Sequence, residues 1–457
     1  KISKGNLIDL KTITTSADLK AAIDALPENS SVPSAFDGKT YNLTTGVDTL
    51  TGTNKDDTFL ATDAENQFSI ADSIDGGKGF DTLKLIDNGG LVGYTLTIPV
   101  AASIKNIEII DIIGNAGVTA DTSDTTAFAG VTHLYTTSTG ANTSTAAATT
   151  NINATANGTA SADTIIVKGG KDVTVVSKNN VADTINVGGT TAAAGKVSVT
   201  STGGTANGDT QGNIAVTGGT EITVNQYAGN AAATLNDTDG GNITVTGNAS
   251  TTTVTVNQTA TATGANATAT TAGVVGYTAG TVTIADVNAG TANANTISTV
   301  TLKNAGAATV DSNALSTLNL EGTLVTVNTT NSSIATTPAV TTLALNLKGA
   351  TSTGAVTADA EVTTLNVKSS TTDSTLNTLV ANGATAINIS GDAALTVTTL
   401  TAGAANKVIT VTNTAGVTIG NALATDVTFT GGAGADSVIL TASYTKAINM
   451  GAGDDTV

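Results

Sequence analysis

The sequence predicts an all-β protein: a parallel β-solenoid or β-roll with irregular coil lengths and one short N-terminal helix. The first observation is composition, since Thr, Ala, Gly, Asn and Val dominate the 457 residues, aromatic residues make up 3% and Trp is absent. Small and β-branched side chains suit thin stacked coils with narrow interiors. The second is the regular alternation of Val and Ile with Thr and Asn, which argues against disorder.

The third observation is a repeated strand. Its near-copies have central residues at positions 301, 319, 346, 366 and 388, which gives successive steps of 18, 27, 20 and 22 positions. Unequal steps of this size are typical of solenoid coils with loops inserted at the corners. Apolar residues at alternate positions should face inward, and Thr or Asn should face outward. An array of antiparallel β-sandwich domains has the same alternation and remains the alternative.

Other elements are predicted near the start of the chain. Ser16 is a suitable helix N-cap, apolar residues at helical spacing follow in residues 17–26, and Pro27 ends the helix. Residues 104–113 form the most apolar stretch and are expected to be one buried strand, with a further strand at 131–136.

Glycine-rich turns that contain an aspartate indicate calcium-binding sites. Residues 431–439 fit the nonapeptide G-G-x-G-x-D-x-U-x, where U is a large apolar residue, and residues 76–84 hold another copy. Residues 52–59 are a degenerate copy and residues 450–457 a partial one. Glycine permits the tight turn, and Asp supplies the hard anionic oxygen that calcium prefers. The predicted metal-site residues are Gly52, Asp56, Asp57, Gly76, Gly77, Gly79, Asp81, Gly431, Gly432, Gly434, Asp436, Gly451, Gly453, Asp454 and Asp455.

The spacing of these aspartates predicts how the turns stack. Asp436 precedes Asp455 by 19 positions, about one coil, whereas Asp57 precedes Asp81 by 24 positions. Residues 61–73 should therefore bulge out. Two calcium turns on neighbouring coils can share an ion between them.

Other acidic positions are weaker metal candidates. Asp163 and Asp183 both stand in Ala-Asp-Thr-Ile, 20 positions apart, and resemble half of the nonapeptide without its glycines. We interpret them as vestigial repeat positions that do not bind. Ordinary turn chemistry explains the acidic turns at 207–209, 236–240 and 391–392.

Charge and residue usage exclude several functions. The net charge is −18 and every basic residue is Lys, which argues against a nucleic-acid partner and fits carboxylates that divalent cations partly neutralise. Without cysteine there are no disulfides. No apolar run approaches the ~20 residues of a membrane span.

Catalysis has little support in the sequence. His133 is the sole histidine, so any two-histidine metal site is impossible, and no G-x-S-x-G motif or cysteine nucleophile occurs. We therefore expect no enzyme. Threonine arrays such as residues 251–255 suggest an ice-binding face, but unequal coil lengths argue against the flat lattice that such a face needs.

These motifs together resemble RTX-type surface proteins of Gram-negative bacteria, in particular surface-layer (S-layer) proteins. The nonapeptides at 76–84 and 431–439 carry the RTX resemblance. The S-layer resemblance rests on residues 43–53, on Asn-Ile-Glu at 106–108 and on Asp-Thr-Ser at 121–123. It implies type I secretion with an uncleaved signal beyond Val457, and calcium-coupled folding outside the cell.

We expect a secreted structural protein whose copies assemble into a calcium-dependent two-dimensional lattice on the bacterial cell surface. The resemblance also implies contact with lipopolysaccharide through a region near or outside the N-terminus. The expected segments are an N-terminal β-roll-like domain with the helix and calcium turns (1–140), a solenoid rich in Thr, Ala and Asn (141–430), and the start of a C-terminal RTX calcium-binding segment (431–457).

The alternative function is an RTX adhesin or biofilm-matrix protein that binds glycans or surfaces. A clustered, exposed aromatic patch would favour it. The six Tyr and six Phe are dispersed along the sequence, and this dispersal favours the lattice.

Overall fold

The computed structural model describes residues 38–89, 93–99, 103–158, 162–204, 209–229, 239–259, 277–332, 340–403 and 407–457. The regular secondary structure of these residues is almost all strand, and every strand pairing among them is parallel. The predicted parallel solenoid is therefore confirmed, and the antiparallel β-sandwich alternative is wrong. The helix predicted at 17–26 lies outside the described residues.

Within the described ranges the strands follow one another in chain order, with one short helix, α1 (Ala64–Gln67), between β3 and β4. The strands are β1 (Thr40–Asn42), β2 (Thr49–Thr51), β3 (Thr58–Ala61), β4 (Ser73–Asp75), β5 (Thr82–Ile86), β6 (Thr95–Thr97), β7 (Ser103–Lys105), β8 (Ile109–Ile113), β9 (Gly117–Thr122), β10 (Phe128–Ala129), β11 (His133–Ser138), β12 (Asn142–Ala146), β13 (Asn151–Asn157), β14 (Thr164–Gly169), β15 (Val173–Asn180), β16 (Thr184–Val187), β17 (Val197–Gly203), β18 (Ile214–Thr217), β19 (Glu221–Tyr227), β20 (Ile243–Thr246), β21 (Thr253–Thr259), β22 (Val282–Ala285), β23 (Thr299–Lys303), β24 (Ala308–Asp311), β25 (Thr317–Leu324), β26 (Val327–Thr330), β27 (Thr342–Thr357), β28 (Thr364–Ser369), β29 (Ser374–Ala381), β30 (Ala386–Gly391), β31 (Leu395–Ala402), β32 (Val408–Val411), β33 (Val417–Leu423), β34 (Thr428–Thr430), β35 (Ser437–Leu440) and β36 (Ile448–Asn449).

Corresponding strands of successive coils pair into ladders. The first ladder starts with β1, β3, β5, β8 and β11, continues through the odd-numbered strands to β27, and ends with β28, β30, β32, β34 and β36. The second starts with β6, β9 and β12, continues through the even-numbered strands to β26, and ends with β27, β29, β31, β33 and β35. The 16-residue β27 belongs to both ladders. A short third ladder of β2, β4, β7 and β10 adds a side to the first coils.

Coil length varies along the solenoid, as predicted. Thr301 pairs with Asn319 and Asn319 with Asn346, which confirms the steps of 18 and 27 positions. The predicted step of 20 is wrong, because Asn346 pairs with Lys368 and not with Asn366. A shift of two residues keeps the same side chains facing inward, so sequence alternation alone does not distinguish the two registers.

The core consists of apolar columns that run through the stacked coils. One column is formed by paired inward residues that are all at least 98% buried: Val254, Val300, Leu318, Leu345, Val367, Ile389 and Val411. The outward neighbours are polar, and some form side-chain ladders of their own. Asn346 Nδ2 donates to Asn319 Oδ1 at 2.8 Å, and Asn388 Nδ2 donates to Asn366 Oδ1 at 2.8 Å. Each coil therefore rests on its neighbour through both faces of its strands.

The structure tests two local predictions at corners of the first coils, one for residues 104–113 and one for residues 61–73. Residues 104–113 are not one strand, because Asn106 adopts a positive φ of 51° and separates β7 from β8. Residues 61–73 leave the coil as predicted and contain α1. Ala64 and Phe68 of this excursion are nevertheless buried, so it packs back onto the core.

The buried columns predict that a substitution at an inward position lowers the free energy of unfolding far more than one at an outward position. Replacing fully buried Ile284 with Ala should lower the free energy of unfolding by about 2–5 kcal/mol, because it leaves a cavity between coils. The adjacent Thr283 faces solvent, so Thr283→Ala should change it by less than about 0.5 kcal/mol. Urea unfolding followed by circular dichroism measures both, and equal effects would contradict the assigned inward face.

Candidate metal-binding corners

The predicted calcium aspartates lie inside the corners of the solenoid. Asp57, Asp81 and Asp436 each stand directly before a strand in the tripeptide Asp-Thr/Ser-apolar, whose third residue enters the core. Asp57, Asp81 and Asp436 are each only 1% exposed, although they are charged turn residues. Such carboxylates must find hydrogen-bond or charge partners within the protein.

Successive corners are joined by a bond from backbone to carboxylate. The N–H of Asp57 donates to Asp81 Oδ1 at 2.6 Å, and the N–H of Asp436 donates to Asp455 Oδ1 at 2.8 Å. The N–H of Asp81 donates in the same way to Glu108 Oε2 at 2.7 Å. We call this repeated contact the aspartate ladder. The predicted stacking of Asp57 on Asp81 and of Asp436 on Asp455 is confirmed.

The ladder extends to acids that were not predicted as metal ligands. The N–H of Asp48 donates to Asp72 Oδ1 at 2.8 Å, and the N–H of Asp163 donates to Asp183 Oδ1 at 2.9 Å. All of the paired aspartates precede Thr or Ser and then an apolar residue. This tripeptide was the sequence signal that could have found Asp48 and Asp72.

Asp57 and Asp436 are satisfied by the protein itself. Asp57 accepts the N–H of Lys39 at 2.6 Å, and the N–H and hydroxyl of Thr53 at 2.5 and 2.9 Å. Burial would raise the pKa of Asp57, but these bonds and the Lys39 charge outweigh it and hold the pKa below its ordinary value. Asp436 accepts the N–H groups of Val417 and Gly432, each at 2.9 Å.

Asp81 differs because its Oδ2 is buried without a hydrogen-bond partner. The turn N–H that corresponds to Thr53 belongs to Gly77, and it donates to Asp75 Oδ1 at 3.1 Å. Burial raises the pKa of Asp81; the N–H of Asp57 opposes this, whereas the charges of Glu108, Asp57 and Asp56 add to it. A cation would supply the partner that Oδ2 lacks.

Backbone oxygens converge on the same corners. A Cβ at the first glycine of each turn would lie within 2.6–2.8 Å of the Oδ2 atom of that turn's own aspartate, and would overlap a carbonyl oxygen of the next coil. These glycines are Gly52, Gly76 and Gly431, and the carbonyls belong to Gly76, Asn106 and Met450 respectively. Carboxylate and carbonyl oxygens are the ligands that calcium takes, so these residues fit a calcium ion.

The other predicted site residues complete the stacked turns. Gly77 and Gly79 have positive φ values of 92° and 139° and pack over the backbone of Thr53 and Lys55. Gly451 and Gly453 pack in the same way over Gly432 and Gly434. Asp56 Oδ1 accepts the N–H of Phe80 at 2.8 Å, whereas Asp454 is exposed.

Side chains alone do not form a metal cluster in the described ranges, where no group of three or more Asp, Glu, His or Cys residues is arranged to hold an ion. An ion at these corners would therefore depend on backbone carbonyls as much as on carboxylates.

A separate surface feature corrects an expectation about the aromatic residues. Phe80 and Tyr135, which are 45% and 37% exposed, each lie beside the ring of His133. Ring centroids are 6.1 Å apart for Phe80 and His133 and 6.0 Å apart for the stacked pair His133 and Tyr135. The dispersal in sequence is therefore misleading here, because the stacking of the coils brings Phe80 beside His133.

No protein-family model and no curated protein sequence matches this chain. Across the described residues, no helix has the length and apolar character needed to cross a membrane.

In calcium-free buffer at neutral pH, we expect the matched substitutions Asp57→Asn and Asp81→Asn to affect the free energy of unfolding differently. Asp57→Asn should lower the free energy of unfolding by about 1–3 kcal/mol, because an amide nitrogen would face a backbone donor. Asp81→Asn should leave it unchanged or raise it, because the substitution removes a buried charge with an unpaired oxygen. Urea unfolding of both variants measures this. A larger loss for Asp81→Asn than for Asp57→Asn would contradict the assignment.

The pH dependence follows from the two pKa directions. The lowered pKa of Asp57 means that its stabilisation is present above its ordinary value of 3.8 and is lost as pH falls through the folded-state pKa. The raised pKa of Asp81 means that its destabilisation develops as pH rises from 3.8 through the folded-state pKa. At pH 7, Asp57→Asn should therefore be less stable than wild type and Asp81→Asn at least as stable, and both should converge on wild type in acid. Unfolding curves across this pH range measure the convergence.

Proposed function

We propose that this chain is a structural surface-layer protein, secreted and assembled with copies of itself into a calcium-dependent two-dimensional lattice on the bacterial cell surface. The observation that carries the proposal is the set of buried acidic corners within one continuous parallel solenoid. Where a buried carboxylate oxygen has no partner within the protein, as at Asp81, the order of the coils would depend on a divalent cation.

Electrostatics supports calcium dependence. The chain carries a net charge of −18, and Asp57, Asp81 and Glu108 stack on three successive coils. Like charges held this close repel one another until a cation lies among them. Millimolar calcium outside a cell would then favour the ordered solenoid, and low cytoplasmic calcium would not.

The outer faces support a structural role over catalysis. Thr and Asn cover the strand faces, and outward ladders such as Asn319 with Asn346 present repeated polar groups suited to contacts between copies. The sole histidine, His133, has both ring nitrogens engaged, one with the Thr132 hydroxyl at 2.9 Å and the other with the Asn151 amide at 3.2 Å. We propose no enzymatic activity.

Electron microscopy of the purified chain tests the proposal. With millimolar calcium we expect periodic sheets, and a strong chelator should disperse them. Asp81→Asn should raise the calcium concentration needed for sheets on the order of tenfold. The control Asp392→Asn, at an exposed corner whose Oδ1 accepts only the Thr371 N–H, should assemble like wild type. Sheets that survive chelation would contradict calcium dependence, and dispersed rods at every calcium concentration would contradict the lattice.

One observation favours the second candidate, an adhesin that binds glycans. The exposed rings of Phe80 and Tyr135 could stack against sugar rings. Phe80 also follows the calcium turn at Gly76–Gly79, so an ion would fix its position. Affinity chromatography on immobilised bacterial polysaccharide should retain the wild type and lose Phe80→Ala and Tyr135→Ala if this candidate is correct. Equal retention of all three would exclude the aromatic cluster as the binding surface.

A further inference from the structure

The middle of the solenoid holds a second buried carboxylate with an unused oxygen. Asp183 is 1% exposed, its Oδ1 accepts the N–H of Asp163, and its Oδ2 has no hydrogen-bond partner. Asn180 fixes the backbone here, because its side chain accepts the N–H of Asp183 at 2.8 Å and donates to the Asp183 carbonyl at 3.1 Å. The orientation of the carboxylate is therefore set by two neighbours.

Further oxygens surround this unused atom. A Cβ placed on buried Gly158 would lie 3.0 Å from Asp183 Oδ2, 3.4 Å from the Asn179 carbonyl oxygen and 3.5 Å from the Lys178 carbonyl oxygen. The Ser177 hydroxyl is close enough to lower the pKa of Asp183, yet this buried hydroxyl and Oδ2 make no hydrogen bond of normal geometry. Three oxygens, one from the carboxylate and two from carbonyls, thus lie around one point beside Gly158, and the Ser177 hydroxyl lies near the same carboxylate.

The backbone that presents these carbonyls is in a costly conformation. Asn179 and Ala182 have positive φ values of 53° and 66°, a region that non-glycine residues seldom adopt. The Asn179 side chain donates to the Gly158 carbonyl at 3.1 Å and ties the turn to the preceding coil. Strain of this kind persists where the surroundings demand it, and it is concentrated at ligand sites.

The charge of Asp183 also lacks compensation. No ion pair found within the described ranges includes it. Burial raises the pKa of Asp183; the Asp163 N–H opposes this, and the Asp163 charge adds to it. An ionised carboxylate in this position needs a positive partner.

We propose that this corner binds a hard cation of the calcium class through Asp183 Oδ2, the carbonyls of Lys178 and Asn179, and the Ser177 hydroxyl. A buried water has only two protons to donate, whereas a cation can take the carboxylate oxygen and both carbonyl oxygens as ligands at once. The site has no glycine nonapeptide. It replaces the interpretation of Asp163 and Asp183 as vestigial positions and does not depend on lattice formation.

Counting bound calcium tests the proposal. Full-length chain stripped with chelator and dialysed against calcium would be analysed for metal per chain, in wild type, Asp183→Asn and the control Asp392→Asn. We expect Asp183→Asn to lose one ion and Asp392→Asn to lose none, with unchanged circular dichroism. An unchanged count in Asp183→Asn would overturn the site and leave a protonated carboxyl with a buried water.

A second variant keeps the test decisive if Asp183→Asn does not fold. Ser177→Ala retains the charge and removes one ligand, so it should weaken one calcium step on the order of tenfold. A calcium titration identical to that of wild type would overturn the proposal. So would an infrared band of a protonated carboxylic acid at neutral pH in the calcium-saturated wild type that Ser177→Ala shifts.

Discussion

The bond from a corner N–H to the carboxylate of the next coil is the contact on which the rest of the structure depends. A parallel solenoid satisfies its strand backbones by pairing, but the chain leaves the ladder at every corner, and a buried N–H there needs an acceptor. Asp57, Asp163 and Asp436 each meet this need with the aspartate of the following coil. The corner thereby fixes both the spacing and the register of the coils it joins.

The buried aspartates that accept these corner N–H groups also place negative charge inside the protein. The hydrogen bonds of the local turn decide whether that charge has partners. At Asp57 and Asp436, backbone N–H groups donate to both carboxylate oxygens, so these carboxylates are paired without a cation. At Asp81 the turn N–H is diverted to Asp75, and at Asp183 no turn N–H reaches Oδ2. The cation dependence that we propose would therefore be a property of particular corners, which differ from the others in only one or two hydrogen bonds.

The parallel coils, the inward apolar columns and the glycine corners could be predicted from the sequence, because they follow from the alternation of apolar and polar residues and from local motifs. Sequence reasoning could not fix the pairing of Asn346, since a slip of two residues conserves the buried face. It missed the corner at Asn106, where apolar residues continue on both sides of a turn. The approach of Phe80 to His133 depends on coil lengths that only the assembled ladder reveals.

An experimental structure determined in millimolar calcium tests the central claim most directly, at the corner formed by residues 76–81. We predict an ion in contact with Asp81 Oδ2 while the Asp57 N–H still donates to Asp81 Oδ1. The carboxylate would then serve coil stacking and cation binding at once. A carboxylate of Asp81 turned away from Asp57, with no ion at the corner, would contradict the account.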